Sequence, residues 1–204
     1  RAADLAARAA FCYAGDCEVK EGHSEEYFKD VRDFWWNSDF LELMARRLRL
    51  AECRTLLDVG CGQCHWSRLL VPFMGSPAEI HAVDADPKWA RGSDDLQHLF
   101  ASRGSVITFK QGDAQALPYD SDSFDIVTCQ TTLIHVRDPK TAVAEMHRVA
   151  KPGGLVLCAE PSLADAVTQS LAQAGGIVTR LPFSRPYHTP WFEATVEGLR
   201  RTLQ

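Results

Sequence analysis

The sequence lacks any apolar run approaching the roughly 20 residues that a helix needs to cross a bilayer. It also lacks an excess of positive charge. The net charge of the 204 residues is −5, and basic residues cluster only at 46–49. The first absence argues against a membrane span, and the second argues against a nucleic-acid partner, which favours a basic surface.

A second paired-cysteine knuckle, which a zinc site would need, is also missing. The seven cysteines are an odd number, and several lie in apolar stretches, where cysteine behaves as a small apolar residue. We therefore expect free thiols, no metal site and a reducing, cytoplasmic setting. Because the chain begins at Arg1 rather than at methionine, we expect further residues upstream.

The stretch 55–70, TLLDVGCGQCHWSRLL, is the most informative part of the chain. Its apolar start predicts a strand, Gly60 and Gly62 a tight turn, and the spacing of Trp66 and Leu70 a helix. This order is typical of nucleotide-cofactor sites, because glycine lets the ligand approach the backbone and the first helical N–H groups favour an anionic group. Asp84 follows Gly62 by 22 residues, near the spacing of about 20 at which an acid binds ribose hydroxyls.

The same stretch contains a competing motif, C-x-x-C-H, at Cys61, Cys64 and His65. On spacing alone it fits haem attachment, a redox pair or a partial zinc site. Haem attachment requires export, for which no signal segment is visible, and zinc needs further ligands. A cofactor turn is therefore the preferred interpretation.

Strand and helix patterns alternate along the rest of the chain. A helix is predicted from Pro87 to near Gly104, interrupted at Gly92. Another is predicted to start at Asp138-Pro139. Strands are predicted at 56–59, 79–84, 105–110, 124–129 and 155–159. The alternation predicts an α/β fold, a Rossmann-like, doubly wound, mainly parallel sheet with helices on both faces.

Residues 1–50 are predicted to form a helical lead-in to the domain at 51–204. Helices are expected from Ser24 and from Ser38, each capping its own helix. Aromatic side chains are dense between 27 and 40, and they suit either core packing or a lid over a ligand pocket. Tyr27 and Trp36 are the lid candidates, and Arg32 is either a solvated charge or a partner for a ligand carboxylate.

The tail after Pro161 has a weaker pattern. Residues 177–181 predict a short strand, and three prolines then interrupt regular structure before a helix is predicted at 192–203.

Four motifs in order resemble the class I S-adenosylmethionine-dependent methyltransferases, in the branch similar to the ubiquinone and menaquinone biosynthesis enzymes. They are LDVGCG at 57–62, AVDADP at 82–87, GDAQALPYDSDSFDIV at 112–127, and LIHVRDP at 133–139 continuing through EMHRVAKPGG to Gly154. Cys64 replaces a glycine of the family pattern. The family's sixth and seventh strands form an antiparallel edge, of which only one strand pattern is evident here.

The resemblance implies S-adenosyl-L-methionine as cofactor and assigns roles to matching positions. The implied contacts to the methionine portion and ribose are Asp58, Gly60, Cys61 and Gly62. Asp84 would hold the ribose hydroxyls beside Ala85, Asp113 and Ala114 would bind the adenine, and Gln130 would lie near the methyl. A pocket with three aspartates would also favour a sulfonium cation, although each aspartate has the simpler role of capping a helix or starting a turn.

Methyl transfer chiefly requires alignment of the acceptor and exclusion of water. His135 is a candidate base, with a structural role as the alternative. The sequence Cys129-Gln130-Thr131-Thr132 lacks the Asn- or Asp-Pro-Pro-aromatic pattern of base and glutamine methylation in this superfamily, so a small-molecule acceptor is expected. The alternatives are a cofactor-binding but inactive partner or regulatory subunit, and an NAD-linked oxidoreductase. Against the latter, the sequence has no Tyr-x-x-x-Lys pair.

Overall fold

The computed structural model describes residues 36–160 and the backbone of 178–181 and 194–197. A five-stranded sheet lies at its centre, in the order β3-β2-β1-β4-β5, and all its neighbouring strands are parallel. The strands are β1 Thr55–Val59, β2 Ala78–Asp84, β3 Ser105–Gln111, β4 Phe124–Gln130 and β5 Ala150–Ala159. All five predicted strands are present, and the parallel sheet is confirmed.

Helices cover both faces of this sheet, because neighbouring strand residues point to opposite sides. Leu56 packs into a cluster with the apolar residues of three helices, and Leu57 packs into a second cluster with the apolar residues of a fourth. The three helices are α1 Ser38–Arg47, α2 His65–Leu70 and α3 Asp94–Ser102, and the fourth is α4 Pro139–Val149. The doubly wound arrangement is therefore confirmed.

Two predicted helix starts were wrong. The helix expected from Pro87 begins only at Asp94, because Gly92 has a φ of +64° and Ser93 caps the helix by accepting from the Leu96 N–H at 3.2 Å. The cap of α1 is Asn37 rather than Ser38. The Asn37 side chain accepts from the backbone N–H of Asp39 and of Phe40.

The predicted helix at 192–203 was also wrong in part, because residues 194–197 form a strand. This strand, β7 Ala194–Glu197, pairs antiparallel with β6 Val178–Leu181 and lies against β5. The sequence of β7, Ala-Thr-Val-Glu, contains two β-branched residues, which fit a pleated strand once a partner is present. The strand predicted at 177–181 is confirmed.

The helical lead-in is only partly covered by the description. Tyr27, Arg32 and the helix expected from Ser24 lie outside the described residues. The described α1 packs its Leu41 and Met44 into the sheet's core. Within residues 36–160, no helix combines the length and apolar character that crossing a membrane requires.

Candidate cofactor and acceptor site

The carboxyl ends of β1 and β4 form the natural ligand crevice of this sheet. From β1 the chain proceeds outward to β2 and β3, and then returns to the other side of β1 as β4. Ligands of open α/β sheets bind where the strand order reverses in this way. The glycine turn follows β1 and the segment 131–135 follows β4, so both lie at this position.

The glycine turn is held by the end of the neighbouring strand. The N–H groups of Gly60 and Cys61 donate to the Val83 carbonyl at 2.8 and 3.1 Å. Gly60, Gly62 and Cys64 have φ angles of 68°, 47° and 56°. Cys64 therefore adopts a left-handed conformation of the kind that glycine adopts readily.

Two buried carboxylates flank this turn. Asp58, on β1, is 2% exposed and accepts a hydrogen bond from the Ser67 hydroxyl. Asp84, at the end of β2, is 4% exposed, and its Oδ2 accepts from the Gly62 N–H at 3.0 Å. Its Oδ1 accepts from the Asp86 N–H, also at 3.0 Å. Gly62 and Asp84, which the sequence analysis linked by their spacing of 22 residues, are thus in direct contact.

The segment predicted to bind adenine lies beside Asp84. The Gly112 N–H donates to the Asp84 carbonyl at 3.0 Å, and the Gln111 side chain donates to the Ala85 carbonyl at 3.0 Å. Asp113 is exposed, and its Oδ1 accepts from the Gln115 N–H at 2.8 Å. Asp113 therefore forms the turn that was its simpler interpretation, in a position next to the ribose-binding candidate. Ala114, the other adenine candidate, is partly buried.

The segment after β4 contacts the glycine turn directly. Gln130 is buried, and Thr131 adopts a φ of 51° while its N–H donates to the Ala159 carbonyl at 2.9 Å. The Thr132 hydroxyl donates to the Val59 carbonyl at 3.1 Å. A Cβ placed on Gly60 would lie 2.5 Å from side-chain atoms of Thr132. Glycine is thus required where the two segments meet.

The segment after β4 continues as a short 3-10 helix, Leu133–His135. Its Ile134 side chain is 42% exposed, and His135 is also exposed. Trp36, a lid candidate, packs on Trp66 with ring centroids 4.7 Å apart and stacks on Phe40 at 5.9 Å. For Trp36 the geometry favours the core interpretation over the lid.

The C-x-x-C-H motif behaves as part of the turn. The hydrogen bond with Cys64 and burial raise the pKa of the Cys61 thiol well above its ordinary value, which opposes the thiolate that redox and metal chemistry need. His65 is buried and contacts the Arg68 guanidinium. In the part of the chain that the structure describes, no three acidic, His or Cys side chains group together as metal ligands.

Sequence reasoning missed Glu160, the residue directly after β5. It is 3% exposed, and its Oε1 accepts from the Thr132 N–H at 2.9 Å and from the Cys129 thiol at 3.4 Å. Within the part of the chain that the structure describes, its buried Oε2 has no hydrogen-bond partner. Burial raises the pKa of this carboxyl to about 7, against the opposing effect of the N–H groups that it accepts from. A signal was available, since an acid directly after a buried parallel strand lies at the ligand edge of the sheet.

A separate cavity of about 550 Å³ lies towards the opposite end of the sheet. It is lined by the first residues of β1 and β4, by Glu79 and His81 of β2, and by the loop around Tyr119. Burial raises the pKa of Tyr119 to about 12. None of the predicted cofactor or acceptor residues lines this cavity.

Comparisons with known proteins agree with this geometry. The family model described as a methyltransferase domain matches residues 57–158. A demethylmenaquinone methyltransferase of Geobacillus kaustophilus is 32% identical over 131 residues, which are 64% of this chain and 53% of that protein. The enzyme of the same name from Bacillus subtilis is 32% identical, over 67% of this chain and 58% of that protein. The matched part of the chain thus spans about half the length of these relatives.

The fold is also similar to that of solved structures. The crystal structure of a SAM-dependent methyltransferase from Aquifex aeolicus superposes with a TM-score of 0.67. The match covers 88% of this chain and 100% of that one, at 18% identity. At that identity the similarity speaks for the fold alone.

Proposed function

The chain belongs to the methyltransferase-domain family of class I S-adenosylmethionine-dependent proteins, and from this premise we propose that it transfers a methyl group from S-adenosylmethionine to a small-molecule acceptor. One observation carries the proposal. The buried Asp84 carboxylate binds the Gly62 N–H of the glycine turn at 3.0 Å, at the point where the strand order reverses. This contact sets an acidic group beside a turn whose backbone a ligand can approach.

The residues present fit an adenosyl ligand with a charged methionine end. Asp84 would hold the ribose hydroxyls, with Ala85 beside the base, and Asp113 and Ala114 would bind the adenine. Asp58, Gly60, Cys61 and Gly62 would lie along the ribose and methionine portion, and Gln130 would lie near the methyl. Buried carboxylates at two strand ends favour a cationic ligand over its neutral product.

The bound cofactor supplies a methyl group on a sulfonium, which is already an activated leaving group. The chain's own contribution is then to orient the acceptor and to exclude water. The segment 131–135 is held against the turn by the Thr132 hydroxyl bond to Val59. This contact supports the proposal that the segment separates the cofactor from the acceptor. His135, exposed on this segment, is the candidate to receive a proton when the acceptor has to lose one.

For the acceptor we propose a planar, largely apolar small molecule of the quinol type. The relatives named demethylmenaquinone methyltransferase support this class. The exposed Ile134 gives the acceptor side an apolar group. We also propose the cytoplasmic setting expected from the sequence, because all five described cysteines are free thiols.

Calorimetric titration tests the cofactor assignment. We expect S-adenosylmethionine and S-adenosylhomocysteine to bind and NAD not to bind. Asp84→Ala should lower the affinity for S-adenosylhomocysteine by at least about ten-fold, because hydrogen bonds to a charged group are lost. Asp95→Ala, which removes an exposed acid from α3, should leave the affinity unchanged. Binding of NAD alone, or equal affinity in both variants, would contradict the assignment.

Methyl transfer itself is tested with cofactor carrying a labelled methyl group and reduced demethylmenaquinone as the first acceptor of a panel of quinols and phenols. We expect label in the extracted quinol. If the cofactor binds but every acceptor stays unlabelled, the chain is a binding-only partner rather than an enzyme.

A further inference from the structure

We propose that Glu160 is a positioning residue for this site: its carboxylate fixes the segment 131–135 against the glycine turn and so sets the alignment of acceptor and cofactor. This inference rests on the proposed function. It concerns a residue outside the family motifs that identified the site, at the end of β5.

The contacts of Glu160 make it the anchor of the segment after β4. Its Oε1 accepts from the Thr132 N–H at 2.9 Å, at the start of the 3-10 helix Leu133–His135. A carboxylate at this position also faces the N–H groups of Leu133 and Ile134, which lower its pKa. Charge-assisted bonds of this kind are about twice as strong as neutral ones, so the ionised form holds the segment most firmly.

Thr132 transmits this restraint to the cofactor turn. Its hydroxyl donates to the Val59 carbonyl at 3.1 Å, and its side chain occupies the space directly over Gly60. Glu160 therefore acts on the turn through Thr132. The N–H of Thr132 donates to Glu160, and the side chain of Thr132 contacts the turn. Ordering a binding loop in advance reduces the entropy that a ligand loses on binding.

The surroundings of Glu160 favour function over stability. It is only 3% exposed, and among the described residues no group forms a hydrogen bond with its Oε2. Among the described residues, the Cys129 thiol is bonded to it at 3.4 Å, and Cys158 is in register with Cys129 on β5. The hydrogen bond with Cys158 and burial raise the pKa of Cys129, so this thiol stays protonated beside the carboxylate. Burying a carboxylate costs stability, as is typical of residues retained for a site.

The test is the affinity for S-adenosylhomocysteine between pH 5.5 and 8.0, measured by calorimetry on the full chain. In the wild type the affinity should rise roughly five-fold with pH, with a midpoint near 7, as Glu160 ionises. In Glu160→Gln, which keeps an acceptor oxygen and the shape of the side chain, it should stay at the low-pH value throughout. Histidine also titrates in this range, so His135→Gln is the control, and it should retain the pH dependence.

A second variant tests the route through Thr132. Thr132→Val removes the hydroxyl bond to Val59 and keeps the N–H that Glu160 accepts from. It should weaken binding at pH 8, and adding Glu160→Gln to it should cost much less than Glu160→Gln alone. Purely additive losses would overturn the coupling.

Folding provides a readout independent of binding. Because the folded pKa of Glu160 lies above its ordinary 4.5, its contribution to stability is greatest below pH 4.5 and is lost as the pH rises to about 7. The free energy of unfolding of Glu160→Gln, compared with that of the wild type at the same pH, should therefore be higher at pH 8 than at pH 5. If the wild type fails to bind S-adenosylhomocysteine at any pH, the proposed function fails. If it binds but Glu160→Gln shows the same pH profile, only the positioning role fails.

Discussion

Gly60 shows how one residue decides whether the site can form. Its φ is +68°, and a Cβ there would lie 2.5 Å from Thr132 side-chain atoms. A left-handed conformation costs a non-glycine residue roughly 1 to 2 kcal/mol, and crowding a packed contact costs about 1 to 3 kcal/mol more. A side chain at position 60 would incur both costs at the point where the glycine turn meets the segment after β4.

Gly60→Ala should consequently lower both the free energy of unfolding and the affinity for S-adenosylhomocysteine. Gly153→Ala is the matched control, since Gly153 has a φ of +76° but no atom within 4 Å of an added Cβ. It should lose about 1 to 2 kcal/mol of stability and no affinity. Denaturant titration and calorimetry separate the two effects. Equal losses in both variants would mean that Thr132 does not press on the turn.

At the same scale, the contact between Gly62 and Asp84 agrees with the sequence pattern, whereas Cys64 and Glu160 show where sequence reasoning stops. The spacing of Gly62 and Asp84 corresponds to a hydrogen bond between them, because the order of parallel strands fixes which strand ends meet. The sequence pattern could not show that Cys64 would adopt a glycine-like φ of 56°. Nor could it show that Glu160 would bond to Thr132 across two strands, since that contact depends on tertiary packing.

Among the elements, β1, β4 and β5 are joined at their amino ends by Asp125. Its Oδ2 accepts from the N–H groups of Arg54 and Thr55 at 2.8 and 2.9 Å. Its Oδ1 accepts from Lys151 Nζ at 2.8 Å, where β5 bulges. Burial raises the pKa of Asp125, but the hydrogen bonds from Lys151 and the two backbone N–H groups outweigh it, and the net pKa is lowered.

Asp125→Ala should lower the free energy of unfolding at pH 7 by about 2 kcal/mol, because backbone donors lose their acceptor. Asp125→Asn keeps an acceptor oxygen and should lose less. Since the folded pKa lies below the ordinary 3.8, the carboxylate's contribution is present above that pH and disappears as the pH falls through the lowered pKa. Urea titrations at pH 7 and pH 3 should show the difference between wild type and Asp125→Ala shrinking. If the stability difference between wild type and Asp125→Ala grew on acidification, the stabilising role of the Asp125 carboxylate would be contradicted.

The elements that sequence reasoning predicted correctly are those with short-range causes. The five sheet strands are short apolar runs ended by turn residues. The start of α4 is predicted by Asp138 as the N-cap and Pro139 as the first helical residue. Of the two larger errors, one has a local cause and the other a long-range cause. Pro87 suits a helix start, yet Gly92 and the Ser93 cap place the start of α3 later. Residues 194–197 form a strand because β6 and β5 lie beside them, and this pairing cannot be predicted from local propensity.

At the scale of the whole molecule, the proposed site draws on the ends of four neighbouring strands. Asp58 and Gly60 belong to β1 and its turn, Asp84 to β2, Gln130 to β4 and Glu160 to the end of β5. A ligand that contacts several of these strand ends is bound only while the sheet is intact. Binding therefore stabilises the native state as a unit, since the unfolded chain has no such site.

This linkage predicts a ligand-dependent melting temperature. S-adenosylhomocysteine at 100 times its dissociation constant should add about 2.7 kcal/mol to the free energy of unfolding, which raises the melting temperature by roughly 5 to 10 °C for a chain of this size. The same concentration of NAD should leave it unchanged. Asp84→Ala should need proportionally more ligand for the same rise, whereas Asp125→Ala, altered at the opposite end of the sheet, should melt lower but show the full rise. If S-adenosylhomocysteine shifted neither wild type nor Asp125→Ala in differential scanning calorimetry, the strand ends would not act as one ligand site, and the cofactor assignment would be lost with them.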